Sequence, residues 1–177
     1  SVRNSTFRNN LLYDNHASGI AGWDDGAGSQ WGTKNNRFYN NTVVQASDGR
    51  FAASFQNGST GNILKNNILF HPGPRGTYDI DSSSRSRFVS DYNIVSNIFS
   101  VDETWVNFST WKSYGYDAHS VMRTSMSGVF VNPAAGNFHL VGGSPAIDRG
   151  TSVPVRNDID RQSRPRGRRY DIGSDEA

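Results

Sequence analysis

Arg37-Phe38-Tyr39-Asn40-Asn41-Thr42-Val43-Val44 decides the fold, because the chain carries this stretch more than once. It appears first as Ser5-Thr6-Phe7-Arg8-Asn9-Asn10-Leu11-Leu12-Tyr13 and again as Ile63-Leu64-Lys65-Asn66-Asn67-Ile68-Leu69-Phe70. Phe88-Val89-Ser90-Asp91-Tyr92-Asn93-Ile94-Val95 is a degenerate fourth copy. With the second Asn as marker, the copies run from 10 to 41, 41 to 67 and 67 to 93, in steps of 31, 26 and 26 residues. Self-similarity at such a period marks a solenoid or a stacked array.

Each copy is two short runs of β-favouring residues bent at the Asn pair. None places apolar residues at i, i+3, i+4 and i+7, so a helical repeat is excluded. Asn at a bend tolerates left-handed backbone, and its amide bonds local backbone groups. In stacked copies each amide can also bond the Asn above and below, at about 0.5–1.5 kcal/mol net per bond. Leu12, Val43, Leu69 and Val95 occupy one equivalent position and predict an inward stack. Phe7, Phe38 and Leu64 predict a second, with Val89 one residue out of step. A third strand per repeat is expected in Gly19–Trp23, Arg50–Gln56 and Thr77–Asp81.

Three short strands per turn describe a parallel β-helix. On these residues the chain resembles the last coils of right-handed parallel β-helix proteins of the pectate-lyase-like superfamily, a carbohydrate-active group. The expected fold class is all-β, a right-handed parallel β-helix of about four coils with an irregular C-terminal cap containing one short helix. Residues 1–98 are the expected coils, and 99–177 the expected capping module packed on them.

The tail carries a further resemblance. Trp111, Gly115, Asp117, His119 and Ser120 are followed by Phe130-Val131-Asn132-Pro133, Gly136-Asn137-Phe138-His139-Leu140 and Gly143-Ser144-Pro145-Ala146-Ile147-Asp148-Arg149-Gly150. Arg164-Pro165, Asp171-Ile172-Gly173 and Glu176 close the pattern. It is similar to the C-terminal module of bacterial secreted β-helix proteins, which implies a secreted or cell-surface protein of bacterial origin. The chain departs from that pattern at Ser125–Gly128 and at Arg161, where a Gly usually follows Asp160; both are turns. Phe108–Gly115 reads as a short helix with Ser109 as N-cap and Gly115 just past its end. Trp111 is expected to face the end of the coils, and Asp117, His119 and Ser120 to belong to the cap rather than to a catalytic relay. The run Arg161, Arg164, Arg166, Arg168 and Arg169 reads as a solvated tail along the coils, or as an attractant for acidic polysaccharide.

Composition bounds the rest. Apolar residues make up 34% and aromatics 12% of 177 residues, which fits a thin core under long polar turns. Eighteen basic residues stand against 16 acidic ones, and a formal charge of +2 gives no reason to expect nucleic acid. There is no cysteine, which excludes disulfides and thiolate metal sites. No apolar run reaches the roughly 18 residues of a membrane span. Ser1 falls inside what reads as a repeat strand, so the sequence is expected to be a fragment, a processed form or an engineered piece. The uncovered first coil invites self-association or an earlier covering segment.

Candidate functional residues lie between the copies. The first connection is the longest and reads Gly22-Trp23-Asp24-Asp25-Gly26-Ala27-Gly28-Ser29-Gln30-Trp31-Gly32-Thr33-Lys34. Trp23 and Trp31 suit stacking on sugar rings, and Asp24 and Asp25 suit calcium, the cofactor expected here. The alternative is a Gly-rich turn whose indoles pack on the exterior. Asp79 and Asp81 flank Ile80, so strand alternation sends both outward, where they can serve acid/base chemistry or simply face solvent. His71, beside a proline, reads as a turn residue. The resemblance implies an acidic polysaccharide as partner. It also implies a Lys or Arg base, for which Lys34 and Arg50 are available, with Asp79 and Asp81 as the remaining catalytic candidates. Three functions stay open: a polysaccharide lyase or glycoside hydrolase, a non-catalytic surface or binding module, and the stabilising end of a longer enzyme.

Overall fold

A computed structural model describes residues 1–177. Each repeat contributes one strand to each of three sheets. The first coil supplies β1 (Thr6–Arg8), β2 (Leu11–Tyr13) and β3 (Ile20–Gly22). The second supplies β4 (Arg37–Tyr39), β5 (Thr42–Val44) and β6 (Ala53–Phe55), and the third β7 (Ile63–Lys65), β8 (Ile68–Phe70) and β9 (Tyr78–Ile80). The fourth supplies β10 (Val89–Asp91), β11 (Ile94–Val95) and β12 (Ile98–Val101). The first sheet runs β1-β4-β7-β10, the second β2-β5-β8-β11 and the third β3-β6-β9-β12, all parallel. The chain is therefore predominantly β, with parallel strands in stacked sheets and a β-helix-like order.

The register follows the sequence repeat. Leu12 pairs with Val43, Val43 with Leu69 and Leu69 with Val95. Phe7, Phe38 and Leu64 form the parallel row on the first sheet, and the Phe7 and Phe38 rings stack at 5.0 Å. In the fourth coil Ser90, not Val89, aligns with Leu64; Val89 lies on the outside. The interior there is filled instead by Tyr78, Phe88, Phe99 and Trp111, whose rings contact one another.

The Asn pair divides its labour. The first member takes the left-handed bend, at φ 55°, 53° and 57° in Asn9, Asn40 and Asn66, with Tyr92 doing so in the fourth copy. The second member forms an amide ladder. Asn10 Nδ2 donates to Asn41 Oδ1, Asn41 Nδ2 to Asn67 Oδ1 and Asn67 Nδ2 to Asn93 Oδ1, at 2.8, 2.9 and 3.1 Å. Each backbone N–H of the series donates to the same Oδ1 as its own amide. The ladder ends where Asn93 Nδ2 donates to Asp117 Oδ1. A second, shorter ladder at another corner joins Ser5 N, Asn36 and Asn62.

Past the fourth coil, β13 (Thr104–Asn107) runs antiparallel on β12 and closes the third sheet. The helix α1 (Phe108–Ser113) follows. Its N-cap is Asn107, whose side chain accepts from Thr110 N, and not Ser109: the strand runs directly into the helix, so the cap falls on the last strand residue. Gly115, at φ 92°, does follow the helix. Trp111 is fully buried on Tyr78 and Phe99 and covers that end of the interior. Next, β14 (Val121–Met122) adds a partial rung to the second sheet, and β15 (Phe130–Asn132) pairs with β16 (Asn137–Leu140) as a hairpin.

The remaining tail has little regular structure, yet it is well buried. Val129, Phe130, Phe138, Leu140, Ala146 and Ile172 pack on Ile68, Phe70 and Ile94 of the second sheet's outer face. Val153 and Val155 pack on Tyr39 of the first sheet's outer face. The outward first Asn of each pair clamps this tail: Asn9 Nδ2 donates to Asn157 O, Asn40 Nδ2 to Asp171 O and Asn66 Nδ2 to Thr151 O. Arg164 is completely buried rather than solvated, with Nη1 2.6 Å from Glu176 Oε2 and Nη2 donating to Gly173 O.

Candidate functional site

Because the tail covers the outer faces of the first two sheets, the third sheet keeps its own outer face. Its outward row is Ala21, Ser54, Asp79 and Ser100, aligned by register across β3, β6, β9 and β12. These side chains are short; Ala21 is exposed, Ser54 and Asp79 are half-buried and Ser100 is buried, so the row forms a shallow strip that closes toward the fourth coil. Trp105 of β13 pairs with Ser100, stands half-exposed on the same face and stacks on Phe51 at 5.6 Å. Exposed Trp23 follows β3 at the exit edge, and exposed Arg50 precedes β6 at the entry edge. Asp79 lies in mid-strip, with Ser54 Oγ 3.4 Å from its Oδ2.

The sequence candidates are thus partly gathered and partly separated. Asp79, Trp23 and Arg50 frame the strip. Asp81 does not join Asp79; its carboxylate turns back to accept from Asn57 N and Ser84 N and caps a short 3-10 turn over Ser82–Ser84. Asp24 accepts from Gly26 N, Gly28 N and Asn57 Nδ2. The Gly26 N–H is the main cause holding this carboxyl below its usual range. Both Asp24 oxygens thus take part in bracing the loop, and exposed Asp25 follows at φ 52°. Trp31 and Lys34 lie round the corner, toward the first sheet: Lys34 bridges Arg3 through the backbone, and the Arg3 guanidinium sits 5.8 Å from the Trp31 ring. His71 is buried in a turn, accepting from Gly73 N at Nδ1, with Nε2 2.9 Å from Gly49 O.

Asp117 belongs to the cap. It accepts from Ser90 Oγ, Asn93 Nδ2, Trp111 Nε1 and Ser120 Oγ. Burial raises its carboxyl above the usual value against the pull of those four donors.

A second cluster escaped the sequence reading. His139 of β16, Asp160 and Asp175 converge beside a cleft of about 300 Å³ lined by Leu11, Gly136, Phe138 and Ile159. His139 Nδ1 is 3.1 Å from Asp175 Oδ1 and 3.3 Å from Asp160 Oδ2. The hydrogen bond to Asp175 chiefly holds the imidazole above its usual value. No local spacing links these three residues; only the way the tail folds back unites them.

No protein-family model matches the chain, and no curated protein or solved structure is similar enough to it to assign a family. No helix is long and apolar enough to cross a membrane.

Proposed function

We propose that the chain is the end of a right-handed parallel β-helix of the pectate-lyase-like kind, with residues 1–98 as coils and 99–177 as the capping module. On this reading it is a secreted or cell-surface bacterial protein that binds an extended acidic polysaccharide. The observation that carries this reading is the outer face of the third sheet, which the tail leaves open from Ala21 to Asp79. Two faces lie under the tail, while the third keeps a strip of small side chains between Trp23, Trp105 and Arg50. A flat strip crossing successive strands suits a long polymer better than a small molecule, which prefers a concave pocket. Indoles offer their faces to sugar rings, and Arg50 offers a charge-assisted contact to a uronate carboxylate.

Binding rather than catalysis is the part this geometry supports. Asp79 is the one carboxylate of the pair left on the strip, and a two-carboxylate hydrolysis needs a partner at a defined separation. A lyase would need Arg50 as base near the sugar proton, with Asp79 across the strip. The test is titration with pectate, alginate and chondroitin, following indole fluorescence and the ultraviolet absorbance of unsaturated product. The expected result is quenching by at least one acidic glycan without product. Trp23→Ala and Arg50→Ala should abolish quenching with the melting temperature unchanged. Absence of binding to every acidic glycan would overturn the proposal.

A further inference from the structure

Three donor atoms meet at the cleft beside β16: one imidazole nitrogen and two carboxylate oxygens, all within 4.8 Å of one another. A cation held at about 2.0–2.2 Å from each would set neighbouring ligand atoms about 3–3.5 Å apart. The observed separations from Nδ1, 3.1 and 3.3 Å, have that size.

An ordinary ion pair explains the arrangement less well. An imidazolium carries one proton at Nδ1, and that proton can serve one carboxylate fully, not two. Yet Asp160 and Asp175 both aim at the same nitrogen, bringing like charges together. The two other surface histidine pairs of the chain differ in this respect: His16 meets only Asp48, and His119 only Asp91.

The ligands are also held in place. Asp175 is mostly buried, and its second oxygen accepts from Leu140 N at 2.7 Å. Buried Asp158 accepts from Asp160 N and Gln162 N through one oxygen and from Glu176 N through the other. One carboxylate therefore fixes both the turn carrying Asp160 and the segment carrying Asp175, as outer partners of metal ligands do. His139 and Asp160 remain about half-exposed and face the cleft, which leaves coordination positions open.

We propose that His139, Asp160 and Asp175 form an open three-ligand site for a first-row divalent cation of the zinc class. The imidazole nitrogen sets it apart from an all-oxygen calcium site. Three protein ligands with an open side match sites that exchange water or a ligand oxygen rather than closed structural sites. The cation would sit over the second sheet's side of the molecule, away from the strip on the third sheet.

The test is calorimetric titration of the whole, metal-stripped chain with zinc chloride at neutral pH, alongside nitrogen-15 spectra of the imidazoles. Wild-type protein should bind one zinc, and the Nδ1 resonance of His139 should shift while those of His16 and His119 stay. His139→Ala should weaken binding by about tenfold or more, and Asp160→Asn likewise. Asp160 is in an exposed turn, so its variant keeps the test decisive if the His139 variant folds poorly. His16→Ala is the matched control and should bind as wild type. If wild-type protein takes up no zinc, or if either site variant binds it undiminished, the cluster is a bridged ion pair and the proposal is wrong.

Discussion

In the coils, Asn41 and Asn67 do the same thing one layer apart. Each donates to the next Oδ1 and accepts from the previous amide and backbone. In the tail, Arg164 and Glu176 form an arrangement that occurs once. Their buried pair gathers the N–H groups of Arg166 and Asp171 and the carbonyl of Gly173 around it. Both regions bury polar groups at comparable depth. The first satisfies them by repetition, so each layer has a near-equivalent neighbour. The second satisfies them by a unique fit, so no member has a substitute.

The sharpest way to break this contrast is to remove one partner of the unique pair. Arg164→Met leaves Glu176 buried without its counter-charge, and should cost about 3–5 kcal/mol, read from denaturant unfolding. Replacing both, with Arg164→Met and Glu176→Leu, should cost less than the single change, because no charge is stranded. Amides of residues 141–177 should lose hydrogen-exchange protection while those of β4 to β9 keep theirs. Simultaneous loss everywhere would mean that the coils depend on the tail.

The ladder offers the graded counterpart. Asn67→Ala removes an amide whose nitrogen donates to Asn93 Oδ1, Phe38 O and Lys65 O. It should cost about 2–4 kcal/mol, since buried groups on both sides lose partners. Asn10→Ala, on the outermost rung, should cost about 1 kcal/mol or less. Equal losses would show that the rungs do not act as neighbours in a stack.

Acid titration separates the carboxylates by sign. Asp24 and Asp102 have lowered values, through the Gly26 N–H and the Ser82 hydroxyl respectively. They contribute stability above the usual carboxylate value, about 4, and lose it as pH falls through their folded values. Asp117, Asp171 and Glu176 are raised, chiefly by burial. Their contribution is full below the usual value and is lost as pH rises through their folded values. Asp24→Asn should therefore flatten the acid side of the stability profile, and Asp117→Asn should remove part of the decline above it. Melting curves taken from about pH 3 to pH 7 distinguish the two.

The smallest effect concerns local backbone. Arg161 stands at φ 67° in the tail and Arg87 at φ 56° in the coils. Arg161→Gly and Arg87→Gly should each stabilise by about 0.5–1 kcal/mol, since glycine adopts this region without a Cβ clash. A gain at one site only would show that the two turns are held differently.

The same contrast explains what the sequence made legible. The inward stack of Leu12, Val43, Leu69 and Val95 and the Asn10–Asn41–Asn67 ladder were readable because period turns into register. The strands at Ile20, Ala53 and Tyr78 followed from the same period. The Asn36–Asn62 ladder had a weaker signal, since Gly61 replaces the first Asn of that pair. Ser90 for Val89 and Asn107 for Ser109 were missed where the repeat degenerates. Burial of Arg164 had no signal at all within an arginine run. Nor did the meeting of His139, Asp160 and Asp175, because contacts between distant aperiodic segments leave no spacing to read. Among the strip residues, Asp79 was legible from strand alternation. The bareness of its face was not, since it depends on where the tail goes.

The amide ladder also joins its layers in both directions. Every Oδ1 of the series takes its protons from the coil before, down to Asp117. The nitrogens face both ways: the Nδ2 groups of Asn41, Asn67 and Asn93 also donate back to Phe7 O, Phe38 O and Leu64 O of the coil before. Parting two layers therefore strands a donor and an acceptor on each of the surfaces exposed, as opening a zip frees teeth on both tapes.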